Sequence, residues 1–146
     1  MATAAPESFD HGIVRKWLDD DRIVVIASEG NMSRTAIDEW VRVSVETLRG
    51  WPKDRPVFGL YDLMRSQEGL TVYSVKRTED VYRAVRSDQR VYIAIAIGDP
   101  HVRWAVNAML RLRVGRTEQV TERLFDNQDH ALQWLQQMIA REASLS

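Results

Sequence analysis

Short apolar runs alternate along this chain with longer stretches in which apolar residues return every three or four positions. "GIVRKWLDDDRIVVIASEG", residues 12 to 30, holds two runs rich in Val, Ile and Trp around Asp19, Asp20 and Asp21. Asp tolerates turn geometry, so the pattern predicts a hairpin. The first run mixes Arg15 and Lys16 with Trp17, as an edge strand does, whereas "IVVIA" is apolar on both faces and belongs inside a sheet. The period then changes: Ile37, Trp40, Val41, Ser44, Val45 and Leu48 share a helical stripe, with Thr35 and Asp38 as a capping box and Gly50 and Pro52 at its end. "PVFGLYDL" is the third strand, with Gly59 read as a close approach of neighbouring backbone.

A second helix is expected over Leu70 to Arg86, with Val72, Val75, Tyr82 and Val85 on one face. "RVYIAIAI" is apolar almost throughout, as in a parallel strand covered by helices on both faces. Asp99 as cap and Pro100 as first helical residue open a third helix bearing Val102, Ala105, Val106 and Met109, closed by Gly115. "VTERLF" is the fifth strand, and Asp126 or Asn127 caps a last helix that carries Trp134 and Leu135. The order ββαβαβαβα predicts an α/β fold: a mixed, mostly parallel five-stranded sheet with about four helices and right-handed crossovers. In that setting the last helix is the lid over one sheet face.

Length and composition narrow the class. At 146 residues one domain is expected, read as residues 12–143 behind a flexible arm of residues 1–11. With 45% hydrophobic and 28% charged residues, seven Gly and four Pro, neither disorder nor a fibrous repeat is favoured. The absence of Cys removes disulfides and zinc-thiolate sites. No run approaches the ~20 apolar residues of a spanning helix, and the first residues lack the basic start and apolar stretch of a secretory signal. A cytoplasmic address is the expectation. A net charge of −1 disfavours nucleic acid as partner, yet "HVRWAVNAMLRLRVGR", residues 101–116, holds four Arg and no acid.

The hairpin, "VFGLYDL", "RVYIAIAI" and the closing "RLFDNQDHALQWL" together resemble the STAS superfamily, in its SpoIIAA-like, anti-sigma-factor-antagonist-like branch, over residues 12–140 or so. The resemblance implies a small regulatory domain that works by binding, in some members through a small ligand or lipid. Regulated members carry a phosphorylatable Ser directly before a Gly after the third strand. Here the candidate, Ser66, lies three residues before Gly69.

Ligands of open α/β sheets bind beyond the carboxyl ends of the strands. That rule selects Asp62, Arg65 and Ser66 after the third strand, and Asp99, His101 and Arg103 after the fourth, as candidates for recognising a protein partner or a small anionic or amphipathic ligand. Structural roles compete: Asp62 as a holder of loop amides, Asp99 as a helix cap. A rival small enzyme would use Asp62, His101 and Arg103 and needs them in one pocket. A docking module would use Trp104, Arg111, Arg113 and Arg116 against an acidic partner, a phospholipid head group or nucleic acid. Five Trp are compatible with a homodimer. His11, His101 and His130 show no metal-ligand spacing, and no Gly-rich phosphate loop occurs, so no metal and no cofactor are expected.

Overall fold

The structure is a computed structural model that describes residues 5–66, 71–112 and 119–145. Gly69, Arg113, Gly115 and Arg116 lie outside the described residues. The strands are β1 (Glu7–Ser8), β2 (Ile13–Leu18), β3 (Ile23–Ser28), β4 (Val57–Asp62), β5 (Val91–Ala96) and β6 (Val120–Phe125). The helices are α1 (Arg34–Arg49), α2 (Val72–Arg83), α3 (Pro100–Leu112) and α4 (Gln128–Leu145), with one 3₁₀ turn at Asp10–Gly12.

The six strands lie side by side in chain order, β1–β2–β3–β4–β5–β6. The β1–β2 and β2–β3 pairs are antiparallel; the three later pairs are parallel. Right-handed crossovers between successive adjacent strands all pass over the same face. Accordingly α1, α2 and α3 share one core with Val24, Ile26, Ile93 and Ile95. The alternate positions Val25, Leu60, Tyr92 and Ala94 face the other way and meet α4 through Ala131, Trp134 and Leu135. All six residues of β5 are buried, because helices cover both of its faces.

Local chemistry sets most boundaries. Asp19, Asp20 and Asp21 all have positive φ, near 60°, and Arg22 N–H closes the turn on Asp19 O at 3.2 Å. Asp99 Oδ1 accepts from His101 N–H at 2.8 Å, and Asn127 Oδ1 accepts from His130 N–H at 2.8 Å, so both expected caps form.

Several expectations are corrected. The sheet has six strands rather than five: Glu7 and Ser8 pair outside β2, so the Trp17 strand is not the edge. A two-residue exposed strand carries no apolar alternation that a sequence could betray. Arg15, read as an edge residue, is 8% exposed, with Nε 2.7 Å from Glu7 Oε2 and Nη1 2.9 Å from Thr47 Oγ1. Trp17 packs on the buried Trp51 with centroids 5.6 Å apart. The α1 cap is Ser33, whose Oγ accepts from Ala36 N–H, and not Thr35. The second helix runs from Val72 to Arg83, because Thr71 and Ser74 form a capping box there. Val72 then points outward, 74% exposed, and Val81 is the residue that helix buries. A Cβ at Gly59 would meet Val24 Cγ1 at an ordinary 3.7 Å, so no close backbone approach explains that glycine.

Candidate functional site

At the carboxyl ends of β4 and β5, under α1, α2 and α3, lies a cavity of about 110 Å³. Apolar positions of each element build its walls: Met32 before α1, Trp40 on α1, Ile95 on β5, Val106 and Met109 on α3. The helical stripes supply these residues for core packing, and the space remains where the three helices fail to close over the sheet.

Most polar groups on the wall are held in place. Tyr61 OH donates to Ser44 Oγ at 3.0 Å, Thr78 Oγ1 donates to Ser74 O at 2.7 Å, and Tyr82 OH donates to Glu122 Oε2. Burial pushes the Tyr61 phenol up to about 12, against the opposing hydrogen bond with Ser44, with the Glu122 carboxylate adding to the rise. Trp40 is held differently: its ring packs on Tyr61 with centroids 4.8 Å apart, and its buried Nε1–H has no hydrogen-bond partner among the described residues. A buried donor without a partner costs about 1–3 kcal/mol.

The candidate residues read from the sequence fall in three separate places. Ser66 lines the apolar cavity. Asp62 and Arg65 line a depression of about 470 Å³ with Lys16, Glu29 and Gln128. There Asp62 Oδ1 accepts from Met64 N–H at 3.1 Å, and Arg65 stands 3.8 Å from Glu29. Arg103, Trp104 and Arg111 line a groove of about 800 Å³ between α3 and β6. Arg103 Nη1 donates to Ile97 O at 2.8 Å and to Gly98 O at 3.1 Å, while Asp99 and His101 are exposed at the start of α3. Asp62 and Arg103 thus line different depressions.

Three participants escaped the sequence reading: Trp40 was legible only as part of a helical core stripe, Tyr61 only as part of the third strand, and Arg123, which joins the α3–β6 groove, lies on a strand of mixed polarity. No spacing rule links residues on different elements, so no sequence signal marked any of them. Among the described residues no cluster of three or more His, Cys, Asp or Glu is arranged to hold a metal ion. No described helix is long and apolar enough to cross a membrane.

No family model and no curated protein sequence matches the chain. Solved structures do. An uncharacterised protein of the DUF3478 family with a SpoIIAA-like fold, from Shewanella loihica PV-4, superposes with a TM-score of 0.57 at 18% identity, over 88% of this chain and 98% of that one. An anti-sigma factor antagonist from Mycobacterium paratuberculosis gives a TM-score of 0.57 at 13% identity, over 89% of this chain and 99% of that one. The parallel β3–β6 sheet, with α1, α2 and α3 on one face and α4 as the only described helix on the other, is therefore that of a SpoIIAA-like fold.

Proposed function

We propose that the protein is a non-enzymatic, regulatory binding domain of the cytoplasm that takes a small amphipathic ligand into the cavity beneath α1, α2 and α3. The observation that carries this reading is the buried, unpartnered Trp40 Nε1–H beside an apolar space of about 110 Å³. Such a site favours an apolar body with one hydrogen-bond acceptor. The flexible, polarisable side chains of Met32 and Met109 adapt to the shape of an occupant. Likeness in fold to an anti-sigma factor antagonist supports a regulatory role. An enzyme built on Asp62, His101 and Arg103 is less well supported, since Asp62 and Arg103 line separate depressions.

Titration with n-hexanol, followed by nuclear magnetic resonance, tests the site. The Trp40 indole N–H and the Met32 and Met109 methyl signals should shift together and saturate. Met109→Trp, which fills the space, should abolish the response. Shifts confined to surface groups, or an unaltered response in the Met109→Trp variant, would overturn the proposal.

A further inference from the structure

We infer that the groove between α3 and β6 is a docking surface for a short acidic segment of a partner protein, one that carries an apolar residue among its carboxylates. This goes beyond the cavity described above, with which the groove shares Leu110 and Glu122, and rests on other side chains: Arg103, Trp104, Arg111 and Arg123, with Asp126 at one end.

The electrostatic observation comes first. Arg42, Arg77 and Arg83, on the preceding two helices, each hold a carboxylate within 4.0 Å. Arg103, Arg111 and Arg123 hold none among the described residues. Three guanidinium groups gather on one groove beside only two carboxylates, Glu122 and Asp126, in a chain of net charge −1. Arg103 is fixed in place by its two bonds to the carbonyls of Ile97 and Gly98, and Arg123 rests over the Phe125 ring, 5.5 Å from its centroid. Neither has to be ordered afresh when a carboxylate arrives, which lowers the entropic cost of binding.

The second observation is Trp104, which is 75% exposed, on the same groove. Nothing in this fold requires an indole there, and Trp and Arg are both enriched among residues that dominate binding energy. The acids Glu122 and Asp126 also line the groove, so its net charge is small. A continuous polyanion gains little from such a surface. A peptide that alternates carboxylates with an apolar side chain matches it: carboxylates meet Arg111 and Arg123, and the apolar residue covers Trp104.

Selection from a displayed library of random short peptides tests the inference, with the full chain as bait. Enriched peptides should carry two or more carboxylates around a Leu or aromatic residue. The double variant Arg111→Glu, Arg123→Glu should bind them at least about tenfold more weakly, as should Trp104→Ala, and added salt should weaken binding of the unaltered protein. All three positions are exposed, so the variants should melt like the parent; Met109→Trp should keep full peptide binding, which separates this result from the fate of the cavity. Peptides without acidic enrichment, or equal binding by the double variant, would overturn the inference. Tighter binding of oligothymidylate or phosphatidylserine vesicles than of any selected peptide would also overturn it, as would self-association that the double variant abolishes.

Discussion

Replacing Trp134 with Ala removes the largest side chain holding α4 to the sheet. Trp134 is 6% exposed and lies between Tyr92, with centroids 6.3 Å apart at 69°, and Phe125, with centroids 5.8 Å apart at 44°. Ala131 and Leu135 beside it are fully buried. Truncating a buried Trp costs about 3–5 kcal/mol, more where the surroundings cannot collapse into the hole. Here they are poorly placed to do so: α4 is the only described helix on that face, and β5 beneath it is fixed by hydrogen-bonded neighbours on both sides. We therefore expect a loss of about 4 kcal/mol. For a chain of this length each kcal/mol lowers the melting temperature by about 2–4 °C, which gives a drop of about 8–16 °C. Urea unfolding followed by circular dichroism should show a lower midpoint with an unchanged slope. Trp104→Ala is the control: at 75% exposed it should stay within about 0.5 kcal/mol of the parent. Equal losses in the two variants, or a loss below about 1 kcal/mol for Trp134→Ala, would refute α4 as the cover of that sheet face.

Two further predictions concern titration. The Arg15 hydrogen bond holds the Glu7 carboxyl below its usual range, so its contribution is present above about pH 4.5 and is lost as pH falls through the lowered value. Melting temperatures of parent and Glu7→Gln should differ most near neutral pH and converge in acid. Solvent screening of the half-exposed carboxylate keeps the difference below about 1 kcal/mol; a gap that widens in acid would contradict the pairing. Burial raises the Tyr61 phenol to about 12, so its contribution is intact below pH 10 and fades as pH climbs towards 12. Ultraviolet titration should show a late phenolate that Tyr61→Phe removes, and a Tyr61 that ionises at its ordinary value would show that the wall of the cavity is open to water.

Strand and helix identity were legible because they depend on near neighbours. The Asp19–Asp21 turn, the Asp99 and Asn127 caps and the all-apolar β5 each follow from residue types within a few positions of one another. Even so, local competition shifted boundaries: Ser33 displaced Thr35 as a cap, and Thr71 started α2 late enough to leave Val72 in solvent. The pattern also foresaw a parallel sheet with a terminal lid, since helices between short buried strands admit few other arrangements.

Strand order could not be read, and it controls the site. Because β3 to β6 are neighbours in chain order, α1, α2 and α3 share one face, enclose the cavity beside Trp40, and leave Asp62 and Arg103 lining different depressions. The bonds that finish these sites join residues far apart in sequence: Tyr61 to Ser44 across 17 positions, Tyr82 to Glu122 across 40. The sequence by itself determined which segments become strands or helices and which of their faces are greasy, because those preferences act through spacings of two to four residues. Tertiary structure alone decided which faces meet, why Arg15 is buried and where a donor is left without an acceptor, because crossover hand and register bring together side chains that no local period connects.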